Sequence, residues 1–142
     1  MKYVLDTNAF SLLMSGRPAV VNRFAVVSPG DVAVPHPVLA EVAYGIERLP
    51  RSKRKDQLRA RFDRLCEEIP RAAWTDDVTL RFAEIKASLE RKGRRIEDFD
   101  AAIAAHALAA GATLVTADRD HMTRVPGLRV VDWSADGDFA DP

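Results

Sequence analysis

A chain of 142 residues with 47% apolar and 30% charged side chains has the size and balance of one globular domain, which excludes a disordered tail. Its longest apolar runs, Ala101–Ala105 and Ala107–Ala110, fall far short of the ~20 residues that cross a bilayer, and Asp6 interrupts what would be the apolar centre of a signal peptide. A cytoplasmic protein with no membrane partner is expected; its single cysteine, Cys66, excludes an internal disulfide and a cysteine zinc site.

Tyr3–Leu5 predicts a short buried strand closed by Asp6. Asn8 then caps a helix carrying Phe10, Leu12, Leu13 and Met14, stopped by Gly16. Pro18 opens a second helix over Ala19–Val27. After the Pro29-Gly30 turn, Val32–Val34 reads as a strand. Pro37 starts a helix with Val38, Leu39, Val42, Ala43 and Ile46 on one side, ending near Leu49-Pro50. Ser52 caps a basic helix running to about Glu67, whose inner stripe is Leu58, Phe62, Leu65 and Ile69. A weak strand lies near Ile69–Trp74. Thr75 or Asp76 caps a helix with the stripe Val78, Phe82, Ile85 and Leu89, stopped by Gly93. Asp98 or a neighbour caps and opens Ala101–Ala110, and Gly111 ends it. Thr113–Thr116 and Arg129–Asp132 are the last strands.

Strands alternating with helices imply parallel pairing, because parallel neighbours need a crossover connection. The expected fold class is α/β: a three-layer α/β/α sandwich with a central, mostly parallel sheet of four to five strands. It forms a single domain over residues 1–133, with 134–142 as a flexible tail.

Twenty-one basic and twenty-one acidic residues cancel, but they are segregated. Arg48, Arg51, Lys53, Arg54, Lys55, Arg59, Arg61 and Arg64 crowd one stretch, and Arg91–Arg95 form a second basic cluster. Such separation suits a phosphate-rich partner bound beside an acidic, cation-holding site; solvated helix faces are the plain alternative.

Open α/β sheets collect ligands at the carboxyl ends of their strands. Asp6 closes the first strand and Asp118 follows the fourth by two residues. Asp100 opens the helix leading into that fourth strand, and Glu41 lies early in the helix after the second strand. Singly, each has an ordinary use: Asp6 as an Asx turn or cap, Asp100 as a complement to the helix dipole, Glu41 as a solvated residue, Asp118 as a turn former. Together they matter more. Two carboxylates about 4 Å apart repel by roughly 4 kcal/mol at an effective dielectric near 20. A cluster must take up protons or a cation, and oxygen ligands alone prefer a hard ion, Mg²⁺ or Mn²⁺ as its substitute. No phosphate-loop or dinucleotide glycine pattern and no Gly-x-Ser-x-Gly elbow occurs. His36, His106 and His121 read as surface residues, and Cys66 as a small core residue.

Four segments, Tyr3-Val4-Leu5-Asp6-Thr7-Asn8, Val38-Leu39-Ala40-Glu41-Val42-Ala43-Tyr44-Gly45, Asp100-Ala101-Ala102-Ile103-Ala104-Ala105-His106-Ala107 and Leu114-Val115-Thr116-Ala117-Asp118, resemble those of PIN-domain ribonucleases. Within that superfamily the chain most resembles the VapC toxins of toxin–antitoxin pairs. The resemblance implies a Mg²⁺- or Mn²⁺-dependent endoribonuclease acting on RNA, neutralised by a small cognate antitoxin and dimeric. It implies Asp6, Glu41, Asp100 and Asp118 as the catalytic and metal-binding quartet, with Thr7, Asn8 and Thr116 in orienting roles. Relatives often carry Asn where Asp118 stands, which marks that position as a weaker or indirect ligand. Lys53, Arg54, Lys55 and Arg91–Arg95 are the expected phosphate contacts, and the helix Phe10–Met14 with Tyr44 the expected antitoxin-facing groove. Two other readings stay open: a catalytically silent metal- or protein-binding module of this fold, and a phosphatase. The phosphatase reading lacks the second Asp it needs two residues after Asp6, where Asn8 stands.

Overall fold

The computed structural model describes residues 1–135. In chain order it contains β1 (Tyr3–Leu5), α1 (Thr7–Met14), α2 (Pro18–Val26), a 3₁₀ turn (Pro29–Asp31), β2 (Val32–Pro35), α3 (His36–Glu47), α4 (Lys53–Glu68), β3 (Arg71–Ala72), α5 (Asp76–Arg91), α6 (Asp98–Ala110), β4 (Thr113–Val115), α7 (Arg119–Met122) and β5 (Val130–Val131). The five strands pair in the order β3-β2-β1-β4-β5, and every pairing is parallel. Helices flank this sheet as a three-layer α/β/α sandwich. The tail expected over 134–142 lies almost wholly outside the described residues, which end at Ala135.

The strand order places the site. From β1 the chain moves outward to β2 and β3, then crosses back to β4 and β5 on the other side, so the order reverses between β1 and β4. Loops leaving neighbouring strands there part in opposite directions and open a crevice at the carboxyl ends. Leu5 is paired with Val115, so Asp6 and Thr116 emerge side by side at that reversal.

Two helices feed the same edge. Every residue of α6 from Ala101 to Ala107 is buried, including His106 at 2% exposure. A helix apolar on all sides belongs inside the molecule, and its small alanines let it pack closely against α5 and against α3. Gly111, with φ 62°, ends it in the left-handed conformation that spares a side chain the steric cost. Helix α4 buries only Phe62 and Leu65, leaving the rest of its surface to charge. Trp133, 1% exposed, closes the far side by meeting Tyr3 edge-on at 5.3 Å between ring centroids.

Four local expectations change. Helix α1 begins at Thr7 and is capped by Asp6, not by Asn8: the Ala9 N–H donates to Asp6 Oδ1 at 2.8 Å. Asp98 is no cap, since Glu97 precedes the helix and Asp98 instead pairs with Lys86 of α5 at 3.0 Å. Residues 119–122, to which no element was assigned, form the short helix α7, because Asp118 caps it with its own side chain. His106 is core, not surface: small residues on either side of it pull the whole turn of helix inward, and the imidazole meets Trp74 edge-on at 5.3 Å.

Candidate active site

Asp6 is the innermost of the four acids. It sits 5% exposed at the end of β1, with its backbone N–H donating to the Val115 carbonyl across the sheet at 3.1 Å. Its carboxylate accepts from the Ala9 amide and from the Thr116 hydroxyl, both of which favour the charged form. Burial outweighs them. With Asp100 and Asp118 adding like charge, the carboxyl is pushed up to about 6 from an ordinary 3.8. Thr116 is itself fully buried and does two things at once: it donates to Asp6 and its Oγ1 accepts the Asp118 N–H at 2.9 Å. One hydroxyl thereby fixes two acids on adjacent loops.

Asp100 is half-buried in the first turn of α6. Burial, then Glu41 and Asp118, raise its pKa, while His121 opposes the rise. Glu41 is positioned by Thr7, whose Oγ1 donates to Glu41 Oε1 at 2.6 Å across 34 positions of sequence. That single bond ties the start of α1 to the first half of α3. Asp118 differs from the rest. Its Oδ2 lies 2.6 Å from His121 Nδ1, and its Oδ1 accepts the His121 N–H at 3.4 Å. These contacts with His121 hold its carboxyl below the usual carboxylate range, and the same contacts raise the imidazole.

Asp6, Asp100 and Asp118 thus stand within one another's electrostatic reach at the carboxyl edge of the sheet, and Glu41 within that of Asp100. As their side chains stand, no group of three or more His, Cys, Asp or Glu among the described residues is drawn together to hold an ion. Glu41 is bonded to Thr7 and Asp118 to His121. His121 is the site residue that sequence reasoning missed. A signal for it existed, since Asp118 and His121 are three apart, the separation at which a capping residue meets the end of a first helical turn.

The basic side chains expected to meet phosphate differ in how they are engaged. Lys55 is not free for a phosphate: its Nζ donates to the carbonyls of Glu47 and Leu49 at 2.9 and 3.2 Å, closing the carboxyl end of α3. Arg59 pairs with Asp63 along α4 at 3.6 Å. Lys53, Arg54 and Arg91 to Arg95 (apart from Gly93) remain exposed to solvent. An apolar groove of ≈ 370 Å³ runs between α1, α2 and α4, floored by Leu13, Met14, Val21 and Phe24 and edged by Arg61, Arg64 and Glu68. Of the residues expected to face an antitoxin, Leu13 and Met14 line this groove, Phe10 is fully buried in the core and Tyr44 is 67% exposed on α3.

A family model described as the PIN domain matches residues 3–128, nearly the whole described chain. The chain belongs to the PIN-domain family. Similar PIN-domain proteins include the ribonuclease VapC2 of Rickettsia felis, 31% identical over 135 residues and covering 94% of this chain and 98% of the relative. The tRNA(fMet)-specific endonuclease VapC of Shigella flexneri is likewise 31% identical, over 94% of this chain and 99% of its own length. Among solved structures, the Rickettsia felis VapBC2 complex bound to a DNA fragment from its promoter superimposes with a TM-score of 0.82 at 30% identity, covering 94% of this chain and 99% of that one. DNA-bound VapBC from Salmonella typhimurium gives a TM-score of 0.84 at 26% identity, covering 94% and 98%. No helix among the described residues is long and apolar enough to cross a membrane.

Proposed function

We propose that this PIN-domain protein is a metal-dependent endoribonuclease and the toxin half of a toxin–antitoxin pair. The observation that carries the reading is Asp6: a buried carboxylate at the strand-order reversal, already pushed up to about 6 by burial and by two further carboxylates. Such a group carries its charge at neutral pH only at a cost to the fold, which a cation would relieve. The donor set fits one kind of ion, because Asp6, Glu41, Asp100 and Asp118 offer only oxygen, which selects Mg²⁺ or Mn²⁺ over softer metals. The nuclease names of relatives more than 30% identical over nearly the full chain point the same way.

In this reading Asp6 and Asp100 hold the ion, with Glu41 and Asp118 completing its surroundings. An ion held there would lower the pKa of a water near it and offset charge on the phosphate oxygens. The chain's own residues do the positioning. Ala9 and Thr116 keep the Asp6 carboxylate fixed in one orientation, and Thr7 holds Glu41 on the site side of α3. Lys53, Arg54 and the Arg91–Arg95 cluster meet the RNA backbone, which the acidic pocket alone would repel. The groove between α1, α2 and α4 is the docking face for the antitoxin, an apolar segment carrying acids that answer Arg61 and Arg64.

The test is cleavage of RNA by the purified chain with Mg²⁺, with chelator, and with Asp6→Asn or Asp100→Asn. Metal-dependent internal cuts lost in both variants are expected. Normal cutting by either variant in Mg²⁺ would remove the assignment, and full activity in Ca²⁺, whose looser coordination is ill suited to this chemistry, would contradict the mechanism. Release of inorganic phosphate without internal cuts would favour the phosphatase instead. A silent module would bind the ion and cut nothing.

A further inference from the structure

Asp118 is held differently from the other three acids. Its backbone is pinned by Thr116, whose Oγ1 accepts the Asp118 N–H at 2.9 Å. Its carboxylate, by contrast, faces α7: Oδ1 accepts the His121 amide and Oδ2 sits 2.6 Å from His121 Nδ1. Both oxygens are therefore committed to one residue. The pair lies at the surface, with side-chain exposures of 41% for Asp118 and 49% for His121, so the carboxylate has room to turn about its own side-chain bonds. A carboxylate that ligates a cation must present a lone pair to it, and an oxygen already engaged by a short charge-assisted donor presents it less readily.

We propose that His121 is a positioning residue that withholds Asp118 from the metal site in the ion-free protein, so that the cap of α7 and the ion compete for the same carboxylate. The inference rests on the metal site proposed above. It requires only the tautomer with a proton on Nδ1 and no change in the charge of the imidazole. Its consequence is a link between the site and α7: when Asp118 turns toward an ion, the His121 amide loses its acceptor and the first turn of α7 loosens.

The experiment is Mn²⁺ binding at fixed neutral pH, read from the paramagnetic resonance of the free ion. Wild type is expected to bind, and Asp6→Asn to bind far more weakly. His121→Ala should bind about three- to tenfold more tightly than wild type, because one competitor for the carboxylate is gone. His121→Asn, whose amide places a donor near the position of Nδ1, should restore wild-type affinity. In an Asp118→Ala background, His121→Ala should change nothing, since the contact it removes no longer exists. Unchanged or weakened binding by His121→Ala overturns the inference while leaving the metal site standing, and so does tightening that persists without Asp118. Absence of Mn²⁺ binding by wild type overturns the site and the inference together. A second readout is independent of affinity: Mg²⁺ should speed hydrogen exchange of the His121 amide in wild type, and an unchanged rate counts against the release of α7.

Discussion

Asp6 and Asp118 are the same residue type at the same end of one sheet, and both meet Thr116, yet their environments drive them in opposite directions. Asp6 is buried and raised; Asp118 is half-exposed and lowered. The floor of the site, built from β1 and β4, is rigid because its backbone groups are spent in the sheet ladder and its side chains are enclosed. The rim, built from α7, is held by two hydrogen bonds at the surface. A carboxylate on the floor bears the cost of burial and, to a lesser degree, of neighbouring like charge, which an ion would relieve, whereas one on the rim is already satisfied and would have to be won from a competitor. In the metal site proposed here, affinity would then be set by the floor and moderated by the rim.

The sharpest way to break that contrast is Asp6→Asn. It should lower the cleavage rate by at least about 10³-fold, as loss of a direct metal ligand does, while raising the stability of the ion-free protein by about 1–3 kcal/mol in denaturant titrations at neutral pH. Loss of stability would mean that the buried charge is already compensated. Thr116→Val probes the hinge between floor and rim with little change of shape. It removes the donor to Asp6 and the acceptor for the Asp118 amide together, and metal affinity should fall about 10- to 100-fold. A Thr116→Ser variant that keeps the hydroxyl should stay close to wild type. Thr7→Val frees Glu41 on the partly buried side of α3, and a smaller loss of about three- to tenfold in cleavage is expected, read as a change in the Mg²⁺ concentration for half-activity.

Much of this fold is readable from pattern. The alternation of short apolar runs with amphipathic stretches gives every strand and the long helices, since short, wholly buried runs and period-3.6 stripes leave different marks. Asp6, Asp100 and Asp118 stand out because strand ends and helix starts are legible one at a time. What pattern does not carry is partnership across the sheet. The bond from Thr7 to Glu41 spans 34 residues and depends on how α1 meets α3, which no local rule encodes. His106 misleads for a related reason: a polar residue in an alanine-rich helix reads as exposed, but α6 has no exposed face at that turn. Helix α7 escaped because four residues are too few to show a period, leaving only the cap at Asp118 to announce it.

The smallest expected effect tests whether floor and core can be separated by pH. In the ion-free protein, burial pushes the Asp6 carboxyl up to about 6 and lowers the His106 imidazole to about 4. A raised carboxyl binds its proton more readily folded than unfolded, so Asp6 adds stability as pH falls through 6 toward 3.8. A lowered imidazole behaves the other way: the unfolded chain takes up its proton first, and stability is lost as pH falls below 6.5 toward 4. Between about pH 7 and about pH 5.5 each contributes about 1 kcal/mol with opposite sign, so the two largely cancel. Asp6→Asn should unmask the histidine, and on acidification over that range its stability in chelator should fall relative to that of wild type by about 1 kcal/mol. His106→Leu should do the reverse and gain a similar amount on acidification. The His106 Nε2 is buried with no hydrogen-bond partner among the described residues, so the leucine variant should fold, losing the edge contact with Trp74 but no polar bond at that atom. If both variants show the same pH slope as wild type, the two buried groups do not titrate against folding, and the charge on Asp6 is relieved by some means other than a proton or an ion.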